Sequence, residues 1–241
     1  MKRAILCYML FFTMAVPVPS RSYTLPDFPI NNQISALTRS PDLKSVIDPE
    51  ALALAIKGYY NLKSQGLIRR EGIVTLIDFD KPSISERLYV IDIESGRLLH
   101  SELVAHGKGS GENIATSFSN IPGSNKSSIG FYLTESTYRG KNGYSLVLKG
   151  LDPGINDNAE MRSIVIHGAD YVSQNYIRIH GRLGRSQGCP ALSLNSYQEV
   201  IDLIKDGSCV FIYHKGTDYV SRSGVLNPDV AFRNGLPDNP A

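Results

Sequence analysis

The chain has 241 residues, a formal net charge of +2 and a hydrophobic content of 42%. This length supports one domain with a substantial core, and the near-neutral charge gives no reason to expect a nucleic-acid or membrane-surface partner. Lys2 and Arg3 alone account for the positive excess.

The first 20 residues have the pattern of a secretory signal peptide. Lys2 and Arg3 form a positive start, and the apolar run that follows, residues 4–16, has the length of a signal core. This run is too short to cross a bilayer comfortably. We therefore predict that residues 1–20 are a signal peptide, that the protein is exported to the periplasm or cell envelope of a bacterium, and that it makes no membrane contact after cleavage.

The sequence holds three cysteines, of which Cys7 lies inside the predicted signal. An oxidising compartment would permit a disulfide between the other two, Cys189 and Cys209. Two cysteines do not make a disulfide scaffold, and a chain of this size does not need one. We expect Cys189 to be a functional thiol and Cys209 to pack in the core.

Residues 21–71 are predicted to form an N-terminal extension with one helix. Residues 21–47 show little pattern and are expected to be an extended lead-in. The helix should begin after Asp48, a residue type that caps helix starts, with Pro49 at the first helical position. Gly66 is the expected stop.

Residues 72–214 contain short β-rich runs between turn residues, which predicts a mainly β domain of the sandwich or barrel type. The predicted strands are 73–79, 87–93, 97–105, 128–134, 144–148, 163–167, 176–180 and 208–213. One late helix is predicted, with Asn195 as its cap, Gln198 at the reciprocal capping-box position and Gly207 at its end. Residues 215–241 are rich in turn formers and are predicted to be a loop or tail.

The residues most able to do chemistry are a histidine at the end of an apolar strand, His167, and a cysteine in a glycine-rich turn, Cys189. The thiolate is the reactive form, and a free thiol with a pKa of about 8.5 is mostly protonated at neutral pH. A neighbouring histidine can accept that proton. Gly188 would let the backbone approach a substrate and would free the amides of Gly188 and Cys189 to stabilise an oxyanion. Because the spacing makes no helical pair, contact between the two side chains must come from the fold.

These motifs resemble those of the L,D-transpeptidase family, which has the YkuD fold. In that family a histidine is followed, after a gap of this order, by Ser/Thr-His-Gly-Cys. Here His167 precedes Ser-Gln-Gly-Cys at residues 186–189, so Gln187 stands where the common pattern has a second histidine. This variant resembles a branch with Ser-x-Gly-Cys-Pro-Ala, and the resemblance extends over residues 72–214. Further similar segments are 104–107, 118–120, 127–130 and 166–171.

The resemblance implies an exported murein L,D-transpeptidase whose partner is the peptidoglycan stem peptide. Its thiolate would attack the carbonyl of the third-position diamino acid and expel the terminal D-alanine, leaving a thioester on the enzyme. The amine of a neighbouring stem would then form a cross-link, whereas water as acceptor would give L,D-carboxypeptidase activity. The resemblance implies no metal and no organic cofactor.

Five residues near the cysteine are predicted to face the substrate or to support the turn. Gln187 is expected to shape the turn or hold substrate, and Ser186 to support the turn by hydrogen bonding. Arg182 and Arg185 could bind carboxylates of the stem peptide or be solvated loop charges. His180 is the rival of His167 as base, and we expect it to face the substrate or to be structural.

Three other functions stay open on the sequence alone. A zinc hydrolase could use His167, His180 and Cys189 as ligands, although the chain has no HExxH motif. A papain-like or other cysteine-dependent wall peptidase is disfavoured, because in the papain pattern the cysteine precedes its histidine and here only His214 follows Cys189. A non-catalytic wall-binding protein could keep the same fold.

Overall fold

The computed structural model describes residues 27–228, so the predicted signal peptide lies outside the described residues. The strands are β1 Ile73–Asp78, β2 Leu88–Asp92, β3 Arg97–Glu102, β4 Gly130–Gly140, β5 Gly143–Gly150, β6 Val165–Ala169, β7 Ala191–Ser193 and β8 Cys209–Tyr213. The helices are α1 Asp27–Arg39, α2 Pro41–Lys44, α3 Pro49–Ser64, α4 Gln174–His180, α5 Tyr197–Ile204 and α6 Tyr219–Arg222. Within this described part, no helix has the length and apolar character needed to span a membrane.

All eight strands form one mixed sheet in the order β3-β2-β1-β8-β4-β5-β6-β7. The pairs β1–β8 and β6–β7 are parallel, and the other neighbours are antiparallel. Just beyond β3, Ala105 exchanges two backbone hydrogen bonds with Ala191 of β7, at 2.8 and 3.3 Å. The chain leaving one end strand thus pairs with the other end strand and joins the two ends of the sheet. The predicted mainly β fold is confirmed.

The centre of the sheet is buried on both faces, which explains its unbroken apolar runs. Every residue of β8 is buried, and α3 packs against β1 and β8. The start of α3 is as predicted: the Asp48 carboxylate accepts the backbone N–H groups of Glu50 and Ala51 at 2.9 and 3.0 Å. Gly66, with φ +70°, follows the end of this helix.

Two predicted elements are wrong in type. Residues 21–47 were expected to be extended, but α1 and α2 lie within this range. Leu37 and Leu43 are buried in the core, and this tertiary packing stabilises the two helices. Residues 176–180 were expected to be a strand and instead end α4. The hydroxyl of Ser173 accepts the Tyr176 N–H at 3.2 Å, so a helix cap outweighs the β propensity of the segment.

The late helix exists, but its ends differ from the prediction. Ser196 rather than Asn195 precedes α5, no side chain caps it, and the amide of Gln198 donates to the neighbouring Tyr197 hydroxyl. It ends at Ile204, whose carbonyl accepts hydroxyl groups from strand β4 and from the residue before β8. In the tail predicted to be loop, the short helix α6 forms around Tyr219, whose hydroxyl donates to a buried carboxylate.

Candidate active site

The parallel pairing of β6 with β7 brings the predicted histidine and cysteine to one place. His167 on β6 lies opposite Ala191 on β7, and Cys189 is two residues before Ala191. Both His167 and Cys189 line one cavity of about 510 Å³. The cavity is lined by Lys108, Gly123, Asn125, Lys141, Asn142, Arg162, Ser163, His167, Tyr171, Arg185, Ser186, Gln187 and Cys189.

His167 is held in a single tautomer. Its side chain is buried, and its Nδ1 lies 3.0 Å from the carbonyl oxygen of Gly168. A carbonyl oxygen only accepts hydrogen bonds, so Nδ1 carries the proton and Nε2 has the free lone pair of a base. Burial lowers the pKa of His167 below the usual histidine value. The ring is therefore neutral, and competent to accept a proton, at neutral pH.

The Cys189 side chain is partly buried, and its thiol donates to the Ser163 carbonyl oxygen at a sulfur–oxygen distance of 3.6 Å. Burial raises the pKa of this thiol, whereas the backbone N–H of Val165 and the positive charge of Arg162 act in the opposite direction. The net shift is upward, so the group rests as a thiol. His167 and Cys189 thus line the same cavity as a neutral imidazole and a neutral thiol, with no ion pair between them.

The turn before Cys189 combines two hydrogen bonds of the Ser186 hydroxyl with a backbone conformation at Gly188 that requires glycine. Ser186 Oγ accepts the Gly188 N–H at 3.0 Å and donates to the Cys189 carbonyl at 2.6 Å. Gly188 has φ +130°, and a Cβ there would lie 2.9 Å from the Lys126 carbonyl oxygen. The Gly188 N–H is thus already engaged, contrary to its expected part in an oxyanion site. The Cys189 N–H has no partner in another residue within 27–228 and is the available donor.

The two arginines predicted to bind substrate carboxylates share an acidic partner. Arg182 Nε lies 2.8 Å from one oxygen of Glu112, and Arg185 Nη1 lies 2.6 Å from the other. Arg185 also donates to the Gly111 carbonyl at 3.0 Å. Arg185 lines the cavity, but Arg182 does not. The structure therefore gives both guanidinium groups a role in tying the 111–112 loop to the turn before the cysteine.

Of the other predicted substrate-facing residues, Ser186 and Gln187 line the cavity. His180 does not: it lies exposed in the last turn of α4, with its ring 4.2 Å from that of Tyr176. The three zinc ligands considered from the sequence are thus not brought together, and residues 27–228 contain no other grouping of three His, Cys, Asp or Glu side chains suited to a metal.

Arg162 and Ser163 are site residues that the sequence reasoning missed. Arg162 donates to the Ser119 carbonyl at 2.6 Å, to the Ser128 hydroxyl at 3.1 Å and to the Lys126 carbonyl, and its charge acts on the Cys189 thiol. Ser163 has φ +55°, an uncommon conformation for a residue with a side chain. Their position just before the apolar run of β6 is the only local signal, since the partners are more than thirty positions away in sequence.

Cys209 differs from Cys189 in its surroundings. It lies on β8, fully buried in the main core, and burial raises the pKa of its thiol. Both cysteines are free in the structure. The prediction that Cys209 packs in the core is confirmed.

Comparison with known proteins gives one family. The model of the L,D-transpeptidase catalytic domain matches residues 43–213, whereas no curated protein matches the chain. Three similar solved structures are an L,D-transpeptidase from Mycobacterium smegmatis (12% identity, TM-score 0.38, 59% of each chain), L,D-transpeptidase 3 from Mycobacterium tuberculosis in complex with a faropenem-derived adduct (12%, 0.38, 59% of this chain and 60% of that one), and the helical cell shape determining protein Pgp2 from Campylobacter jejuni (16%, 0.38, 66% and 55%). The chain thus spans less than two thirds of the length of each of these three. Because the family model covers well over half of the sequence, the chain belongs to the L,D-transpeptidase catalytic domain family.

Proposed function

We propose that the protein is an L,D-transpeptidase that acts on peptidoglycan stem peptides, with Cys189 as nucleophile and His167 as general base. One observation carries the proposal. The Cys189 thiol lines the same cavity as a buried histidine whose Nδ1 is bound to a carbonyl and whose Nε2 is left free. Membership of the family supports the choice of substrate class.

In the acylation step, Cys189 Sγ attacks the carbonyl of the third-position residue of a stem peptide. The thiol proton passes to His167 Nε2 as the S–C bond forms, and the Cys189 N–H donates to the developing oxyanion. The C–N bond to the terminal D-alanine then breaks, and its amine takes the proton from His167. A thioester remains on Cys189. General-base assistance of this kind typically contributes roughly 10²–10⁴ in rate.

In the second step, the side-chain amine of a neighbouring stem attacks the thioester. His167 accepts the proton that the amine loses, and the leaving sulfur of Cys189 takes that proton back. The product is a cross-link, and the free enzyme is restored. Water in place of the amine would release a trimmed tripeptide. The positively charged start and the following apolar run within residues 1–20 support export to the compartment that contains this substrate.

The test is incubation with purified disaccharide-tetrapeptide, with products identified by mass spectrometry. A cross-linked dimer supports the transpeptidase, and tripeptide alone would assign a carboxypeptidase instead. Unchanged substrate would overturn the enzymatic proposal and favour a non-catalytic wall-binding protein. Cys189→Ala and Cys209→Ala are the matched controls: we expect product to be absent with the first and present with the second.

A further inference from the structure

The cavity around Cys189 is positively charged. Four of its lining residues are cationic, namely Lys108, Lys141, Arg162 and Arg185, and no acidic residue among those described lines it. A concave site lined by one sign of charge attracts ligands of the opposite sign. The substrate portion that enters the cavity should therefore carry negative charge.

The two arginines have little capacity left for a ligand. Arg162 is committed to the carbonyl groups of Ser119 and Lys126 and to a serine hydroxyl, and Arg185 is paired with Glu112. Their guanidinium groups shape the wall of the cavity and contribute charge.

The two lysines are in the opposite situation. Neither Lys108 nor Lys141 takes part in an ion pair or a side-chain hydrogen bond anywhere in the 27–228 segment, and both are exposed at the cavity. An ammonium group that has no partner in the protein can bind a carboxylate of a ligand without first breaking an internal contact.

The backbone holds these lysines on separate elements around the cavity. The Lys108 N–H donates to the Ser186 carbonyl at 2.8 Å, so this residue is anchored to the turn that carries Cys189. Lys141 lies in the two-residue turn between β4 and β5, where Gly140 pairs with Gly143. A register shift in β4 between residues 134 and 137 bends the outer half of this hairpin. The two turn residues at the tip of this hairpin, rather than a strand face, line the cavity.

We propose that Lys108 and Lys141 form a carboxylate-binding pair that selects stem peptides with free carboxylates over peptides whose carboxylates are amidated. The inference rests on the proposed function for the identity of the peptide. The two lysines bind the donor peptide from separate elements on the wall of the cavity that Cys189 also lines. Exposed ion pairs contribute about 0.2–1 kcal/mol, so each lysine should strengthen binding by about 1.4- to 5-fold. Salt should weaken the effect, since the Debye length is only about 8 Å at physiological ionic strength.

The test measures binding apart from catalysis. In a Cys189→Ala background, the full chain is titrated calorimetrically with synthetic disaccharide-tetrapeptide and with the same compound carrying carboxamides in place of carboxylates. Lys108→Met and Lys141→Met should each raise the dissociation constant of the carboxylate peptide by about 1.4- to 5-fold, and the double variant by roughly the product. None of these variants should change the weaker binding of the amidated peptide. Lys149→Met is the control, because it removes the same charge from an exposed position of β5 in the same hairpin, outside the cavity.

Equal binding of the two peptides, no measurable binding of the carboxylate peptide, or an equal loss in Lys149→Met would overturn the proposal. A parallel measurement separates it from the proposed function: thioester formation on unmodified Cys189, followed by intact mass with both peptides. Thioester formed equally fast from both peptides would leave the enzyme standing and remove the carboxylate selection. Lysine-dependent binding of the carboxylate peptide without any thioester would support the carboxylate selection and overturn the proposed enzymatic function.

Discussion

Acid should destabilise the fold through one buried histidine. His106 is fully buried, with Nδ1 2.9 Å from Arg87 Nη2 and Nε2 3.3 Å from the Gly111 carbonyl. Arginine only donates, so Nδ1 must be the unprotonated acceptor, and Nε2 carries the proton that is donated to Gly111. A second proton would break the contact with Arg87 and place two cations side by side. Burial first, and then the charge of Arg87, lower the pKa of His106 to about 4.

The sign and size of the effect follow from this pKa. The unfolded chain takes up the proton near the ordinary histidine value of 6.5, whereas the folded chain does so only near 4. The stability contributed by the neutral ring is therefore complete above pH 6.5 and is lost as pH falls towards 4. At about 1.36 kcal/mol per pH unit, the full loss is about 3 kcal/mol. That is a large part of the 5–15 kcal/mol by which domains are typically stable.

The assay is urea unfolding at pH 7.5 and pH 4.5, with His106→Gln as the matched variant. Glutamine can accept from Arg87 and donate to Gly111 but does not titrate. We expect the free energy of unfolding of the wild type to fall by about 2.5 kcal/mol more than that of the variant between these values. Other titrating groups are common to both proteins and cancel. An equal fall in both proteins would show that titration of His106 does not cause the loss of stability.

Three further results are expected. Cys189→Ala should abolish the adduct formed with a carbapenem-type drug, seen by intact mass, whereas Cys209→Ala should keep it and lose about 1–3 kcal/mol of stability by leaving a small core cavity; an adduct on Cys189→Ala would contradict the first assignment. His167→Ala should lower turnover by roughly 10²–10⁴, far more than His180→Ala, and equal losses would reverse the assignment of the base. Gln187→His should be tolerated and move the pH profile of Cys189 alkylation to lower pH, because a cation near the thiol lowers its pKa. Gln187→Ala should weaken activity only modestly, and a loss as large as that of His167→Ala would show a direct catalytic role.

Patterns of neighbouring residues in the sequence predicted those helices and strands that have caps or β-rich runs of their own. The cap at Asp48 and the proline after it predicted α3, and short β-rich runs between turn residues predicted the buried strands. The helix α1 carries no comparable signal, because it is stabilised by packing of Leu37 in the core. Residues 176–180 have strand-forming side chains, and the cap at Ser173 was the overlooked signal for α4.

In the candidate active site, too, local motifs identified some residues, whereas contacts that depend on the fold could not be predicted. His167 and Cys189 could be identified from an apolar strand, a glycine turn and a family motif. The engagement of Gly188 by the Ser186 hydroxyl could not, because it depends on the conformation of the turn. The Arg162 guanidinium is held at the cavity by hydrogen bonds to residues 119–128, and such long-range contacts leave no trace in residue spacing.

In the proposed mechanism, Cys189 forms a thioester with a stem peptide by giving its proton to His167. The most direct measurement is acid-quenched intact mass of the protein during reaction with disaccharide-tetrapeptide, followed by peptide mapping. We expect an added mass equal to that of the disaccharide-tetrapeptide minus that of D-alanine, located on Cys189 and formed about 10²–10⁴ times more slowly in His167→Ala. An adduct on another residue, or one formed at the same rate without the His167 imidazole, would contradict it.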